Sequence, residues 1–104
     1  EDGIGIIKVS AESWHKFGLQ EGELEGLVNV PLSIDRVKVS IYLREDGDTV
    51  RVSLRAKKGW SARELAVRYF HGGGHELASG GKLLLGRDLD SFGEIEDYLE
   101  KIRL

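Results

Sequence analysis

Residues 37–56 decide the fold: Val37-Lys38-Val39-Ser40-Ile41-Tyr42-Leu43-Arg44, then Glu45-Asp46-Gly47-Asp48-Thr49, then Val50-Arg51-Val52-Ser53-Leu54-Arg55-Ala56. Apolar and polar residues alternate on both sides of a turn-forming centre, the period of a half-buried β-strand. Asp46-Gly47 is a dipeptide that two-residue hairpin turns favour. Folding about it sets Leu43 opposite Val50, Ile41 opposite Val52 and Val39 opposite Leu54. One face is then wholly apolar. The other pairs Tyr42 with Arg51, Ser40 with Ser53, and Lys38 with Arg55. Like charges across a ladder repel, so Lys38 and Arg55 either splay into water or draw an anion between them. Ser40, Ser53 and Arg51 supply further donors on that face, and an arginine offers phosphate a bidentate fork.

Outward from the hairpin, Ile4 to Val9 reads as a first strand. Ser10 is placed to cap a short helix through Phe17, ended by Gly18. A second short helix is expected over residues 21–30, stopped by Pro31. Ser61 and Glu64 form a capping box, with Trp60 stapled to Leu65, so a helix should run from there to about Phe70. Lys82 to Leu85 suits a buried strand. Ser91 and Glu94 form a second capping box. Phe92, Ile95, Leu99 and Ile102 then give a closing helix one apolar face. The expected fold is an α+β domain: a small mixed sheet with a central hairpin, covered by helices. It occupies residues 1–104 as a single domain.

Composition narrows the function. The chain has 104 residues, no cysteine and a net charge of −3. One core is expected, with no disulfide and no thiolate metal site. A protein gripping long nucleic acid through many phosphates is usually basic, so a long nonspecific groove is not expected. The longest apolar run, Leu83-Leu84-Leu85, cannot cross a bilayer, and no membrane partner is expected. The absence of cysteine fits a cytoplasmic origin.

His71-Gly72-Gly73-Gly74-His75 carries the chemistry. A glycine costs roughly 0.5–1 kcal/mol against alanine inside regular structure, and it persists where backbone turns sharply or approaches a ligand. Gly72, Gly73 and Gly74 therefore read as a loop of bare amides for an anion, with the His75 imidazole at its edge. His75 is also placed to open a short helix through Ala78, whose amides favour an anion. His71 and His75 share a metal-like spacing, but the glycines disfavour a helix there and no third ligand follows. His71 reads as the polar end of the preceding helix. Asp88, Asp90, Glu94 and Glu96 read as acidic residues at a helix start. No nucleophile–base arrangement is present, so the chain is expected to bind and not to catalyse.

These segments resemble the C-terminal DHHA1 domain of the DHH/DHHA1 phosphoesterases. The resemblance rests on Glu25-Gly26-Leu27-Val28-Asn29, Val37 to Ile41, Val50 to Arg55, and Gly72-Gly73-Gly74-His75 followed by Ala78-Ser79-Gly80. It looks most like the nanoRNase and cyclic-dinucleotide phosphodiesterase branch. The resemblance implies a substrate-binding role for Arg55, Gly72, Gly73, Gly74 and His75, with Ser53 supporting Arg55 and no cofactor in this chain; Lys38, from the hairpin face, and Ser79, with its added hydroxyl, are further candidates for the same site. It further implies an N-terminal DHH domain in the same polypeptide, using manganese to hydrolyse the phosphodiester. The substrate would be a short oligoribonucleotide, a linear or cyclic di-adenylate, or 3′-phosphoadenosine 5′-phosphate. A homodimer is compatible with it. A nucleotide-sensing module without a hydrolase partner, and a tRNA-contacting DHHA1 region, are the alternatives. Three positions depart from the family pattern: His71 stands where a fourth glycine is common, Ala56 where serine is, and Ser79 where alanine is.

Overall fold

The computed structural model describes residues 3–10, 12, 32 and 35–104. The two helices expected between Ser10 and Pro31, and the segment Glu25–Asn29, lie outside the described residues. Alternating apolar residues set the frame of the rest: β1 (Ile4–Val9), β2 (Val39–Asp46) and β3 (Thr49–Ala56). Helix α1 (Ala62–Tyr69) follows, then β4 (Gly73–Gly74), β5 (Ala78–Leu84), a 3₁₀ turn (Phe92–Glu94) and α2 (Ile95–Leu99). The strands form one five-stranded sheet in the order β1-β2-β3-β5-β4. β1 runs parallel to β2, and every other pairing is antiparallel. The mixed sheet with a central hairpin is therefore as the alternation predicts.

The hairpin forms in a different register. Ile41 faces Leu54, Leu43 faces Val52, Tyr42 faces Ser53 and Ser40 faces Arg55. The turn is Gly47-Asp48, closed by the Asp46–Thr49 pair. Gly47 takes φ 63° while Asp48 stays on the negative side, the demand of a type II′ turn with glycine first. The slip is by two residues, so each side chain keeps its face and only the partners change. Lys38 is thus not opposite Arg55. It lies beside Lys57, whose N–H donates to the Lys38 carbonyl at 2.9 Å.

Val39, Ile41, Leu43, Val50, Val52 and Leu54 line one face and are at most 4% exposed. Against them pack Ala62, Leu65, Ala66 and Phe70 of the α1 segment, and Ile95, Leu99 and Ile102 from the C-terminal segment. That spacing matches the predicted apolar face. Ser61 caps α1 as expected, its Oγ accepting the Glu64 N–H at 3.0 Å. Ser91 makes no such side-chain bond, and the chain enters α2 through the 3₁₀ turn instead. There the Glu94 N–H bonds the Ser91 carbonyl at 3.0 Å, which satisfies the donor without a cap.

Helix α1 ends because His71 adopts φ 53°. That left-handed conformation is uncommon for a residue with a Cβ, which explains why glycine suits the position. The turn brings Gly72 back, its N–H donating to the Ala66 carbonyl at 3.0 Å. Gly72 then crosses β5 at very close range: a Cβ there would lie 1.9 Å from the Gly80 carbonyl oxygen and 2.6 Å from the Gly81 Cα. A Cβ on Gly81 would in turn meet the Phe70 carbonyl oxygen at 2.3 Å.

Gly72→Ala should therefore push β4 off β5. Because the obstacle is backbone, the cost should reach at least about 2 kcal/mol, read as a fall of roughly 10 °C in melting temperature. A melting temperature within a degree or two of the parent would contradict the close approach.

Candidate functional site

The second face of the sheet carries the polar alternates of the hairpin. Its strand register assembles them into rows. One row runs Ser40, Arg55, Ala78; the next runs Tyr42, Ser53, Gly80, Gly73. His75 extends the first row, because it exchanges both backbone bonds with Ala78, at 2.8 and 3.3 Å. Side chains alternate between faces along a strand, so His75, Gly73, Ala78 and Gly80 share the face of Arg55 and Ser53. The result is a floor of small residues, with Arg55 and Ser53 on one side and His75 two strands away. Adjacent strands lie about 4.8 Å apart, so the gap from Arg55 to His75 is about 10 Å at the backbone.

Each glycine of the Gly72–Gly74 run has a separate job. The run is not a loop: Gly73 and Gly74 form β4 on the sheet edge. Gly72 is required by the backbone contact with β5, and its amide is committed to Ala66. Gly74 takes φ 142°, which favours glycine. The His75–Ala78 pair is a hydrogen-bonded one, so the Gly74–Ser79 pair next to it is not, and the Gly74 N–H points out along the open edge. The expected trio of bare amides thus reduces to one. Gly73 differs again: a Cβ there meets nothing within 4 Å, and its φ is not positive. The fold does not ask for glycine at this position.

His75 does not open a helix. Residues 75–78 form the tight turn between β4 and β5. The turn is held by Ser79, whose Oγ donates to the His75 carbonyl at 2.6 Å. Ser79 faces Leu54 on the core side and is 7% exposed, so it fixes the backbone that carries His75. Arg55 is half-buried, and its Nη1 donates to the Leu54 carbonyl at 2.9 Å. It forms no ion pair among the described residues, so most of its fork remains for a ligand. Lys38 is set apart from this group, its ammonium bonded to the Asp35 carbonyl at 3.2 Å. Ser40, beside Arg55, is fully buried with an unpartnered hydroxyl.

Sequence reasoning did not pair His71 with Asp88, which it read as an acidic residue at a helix start. His71 Nε2 and Asp88 Oδ1 lie 2.9 Å apart, and Asp88 Oδ2 accepts the Leu84 N–H at 2.8 Å. Burial pushes the Asp88 carboxyl up, but the Leu84 bond, the bond and charge of His71 and the charge of Arg87 outweigh it. The group titrates below the usual carboxylate range. Among the described residues, no three His, Asp or Glu side chains stand together to hold a metal ion. The manganese that the family resemblance implies is expected on a separate DHH domain, and no metal step is assigned to these residues. No helix among the described residues is long and apolar enough to cross a membrane.

A carboxyl depressed in the folded state stabilises above its unfolded value of about 3.9, and that stability disappears as pH falls through the folded value. Asp88→Asn should therefore lower the urea midpoint at neutral pH, and the gap to the parent should close below about pH 4. A gap independent of pH would show that the ionised carboxylate is not its source. For Gly73→Ala, stability should hold or rise by about 0.4–1 kcal/mol, because alanine fits a compatible backbone and restricts the unfolded chain. Loss of stability on thermal melting would mean that the fold itself needs this glycine.

Comparison with known proteins agrees with this fold. The sequence model of the DHHA1 domain matches residues 2–101. Two curated relatives are each named bifunctional oligoribonuclease and PAP phosphatase NrnA. The Bacillus subtilis protein is 32% identical over 83 residues, covering 80% of this chain and 26% of its own. The Thermus thermophilus protein is 32% identical over 100 residues, covering 96% of this chain and 29% of its own. The chain thus spans between a quarter and a third of their length. Among solved structures, an exopolyphosphatase-related protein from Bacteroides fragilis superposes with a TM-score of 0.82 at 35% identity, over 95% of this chain and 28% of that one. The C-Ala domain of Aquifex aeolicus alanyl-tRNA synthetase shares the fold, with a TM-score of 0.61 at 18% identity over 97% of this chain and 93% of that one. With the glycine-lined sheet edge and its neighbouring arginine in place, the chain belongs to the DHHA1 domain family.

Proposed function

We propose that the chain holds a short nucleotide by its phosphate and base, for a phosphoesterase whose hydrolytic centre lies on a separate DHH domain. The observation that carries this reading is the floor of Gly73, Ala78 and Gly80 between Arg55 and His75. An arginine without an acidic partner and a glycine that the fold does not require stand at one site. Both are explained by an anionic ligand lying flat on the sheet. The relatives' names, oligoribonuclease and PAP phosphatase, support a short oligoribonucleotide, a di-adenylate or 3′-phosphoadenosine 5′-phosphate as that ligand.

In this reading the Arg55 fork takes phosphate, which is the geometry a guanidinium favours. Ser53 adds a hydroxyl from the adjoining row, and the outward Gly74 N–H adds a donor at the edge. His75 meets phosphate or base from the far side. Ser79 positions His75 through its carbonyl, and Lys38 contributes charge from beyond Arg55. Manganese and the hydrolytic step belong to the DHH domain, and the work is cytoplasmic.

Calorimetric titration with each of the three ligands tests the assignment. Arg55→Ala should weaken binding by about 1.5–3 kcal/mol, the range for hydrogen bonds to charged groups. Its melting temperature should stay near that of the parent. His75→Ala and Gly73→Ala should bind worse with the fold intact. Only about one or two phosphates are neutralised, so the log–log salt slope should be roughly −1 to −2. Variants at Arg55 and His75 that bind every candidate as well as the parent would overturn the site.

A further inference from the structure

β4 reaches the sheet edge with no side chain to bury, since its two residues are Gly73 and Gly74 and Gly72 precedes them. Burial of apolar side chains holds β2 and β3 in place. A glycine strand has none of that, and glycine loses more chain freedom on ordering than any other residue. The place of β4 on β5 therefore rests on hydrogen bonds, and at each end one of these comes from a side chain. At the far end Ser79 Oγ donates to the His75 carbonyl at 2.6 Å. At the near end His71 Nε2 lies 2.9 Å from Asp88 Oδ1.

The near tether has a fixed anchor. The Asp88 N–H bonds the Leu84 carbonyl at 2.8 Å, and Asp88 Oδ2 accepts the Leu84 N–H at 2.8 Å. Asp88 is thus folded back onto the last residue of β5 through both its backbone and its side chain. That side chain is 15% exposed, against 62% for His71, so the bond is more sheltered than one between two exposed chains. His71 itself sits at φ 53°, a conformation that strains a residue with a Cβ and does not strain glycine. On backbone grounds alone glycine is the better residue here. What glycine would lose is the bond to Asp88, which ties the start of β4 to the end of β5.

We propose that His71 is a positioning residue: its bond to Asp88 holds β4 in place on β5, so that the glycine floor and His75 are ordered before a ligand arrives. The inference rests on the site assigned above and adds the residue pair that pre-organises it. Gly72 follows His71 directly, and its N–H is committed to the Ala66 carbonyl. Freedom at His71 therefore passes straight to the close contact between Gly72 and Gly80. Order present before binding lowers the entropy cost of binding. The pair acts through that order, without either side chain touching the ligand.

The test compares this chain with His71→Gly and His71→Gln, by calorimetric titration with 3′-phosphoadenosine 5′-phosphate and by amide hydrogen exchange. Glutamine keeps a side-chain amide that reaches Asp88 but is as strained in the turn as histidine. Glycine suits the turn and has no tether. His71→Gly should bind about three- to tenfold more weakly, the range for one net hydrogen bond. Its Gly72 and His75 amides should exchange faster by about the same factor, while the amide of buried Ile41 in β2 exchanges as in the parent. Its melting temperature should stay within about 3 °C, because relief of the turn offsets the lost bond. His71→Gln should return affinity and exchange to the parental values. A His71→Gly protein that binds as tightly as the parent, or whose Gly72 and His75 amides exchange as slowly, would overturn the tether. So would a glutamine variant no better than the glycine one, or faster exchange at Ile41 as well, which marks a general loss of stability. A parent that does not bind the probe would overturn the proposed function and the effect on affinity, while exchange at Gly72 and His75 would still decide whether the pair holds β4.

Discussion

The contact between Gly72 and the Gly80 carbonyl oxygen is the constraint on which the site depends. It lets the chain leave α1, turn once through His71 and lie directly on β5 with no side chain between. Without that approach, β4 could not complete the sheet edge and His75 would not enter the row of Arg55. The contact is paired with another, since Gly81 lies against the Phe70 backbone. Phe70 is fully buried. The end of the helix, the core and the proposed ligand face are therefore joined through backbone atoms over a few residues.

Around that junction the sheet divides labour between its faces. The core face takes apolar side chains from the hairpin, α1 and the C-terminal segment. The other face is buried along β2, where Ser40, Tyr42 and Arg44 are nearly inaccessible, and opens along β3 and β5. A ligand on the open half meets rigid backbone. Arg55 stands on a strand with partners on both sides, which suits a residue that must present a fixed fork.

Much of this was legible in the sequence, for stated reasons. Alternation fixed which hairpin residues share a face, and the 3.6-residue spacing fixed the buried side of the last helix. Register was not legible. Both Asp46-Gly47 and Gly47-Asp48 are acceptable two-residue turns, and a slip of two leaves the apolar pattern intact. The pattern thus could not choose between them, and Lys38 was set opposite Arg55 when Ser40 stands there. The glycine run was read as one unit because each glycine has the same letter. Their difference lies in what a Cβ would strike, which depends on strands distant in sequence. The His71–Asp88 pair was hidden for the same reason: the residues are 17 apart and meet only when β5 is folded between them.

The edge strand β4 is two residues long. A ligand face at a sheet edge carries a hazard, since unpaired backbone groups there invite another chain to add a strand. Two glycine residues, turned sharply at each end by His71 and by the His75–Ala78 turn, offer too little ladder for that. The same shortness that would leave the proposed floor open to a small anion gives another chain little ladder to pair with, so edge protection and the proposed ligand access rest on one piece of backbone.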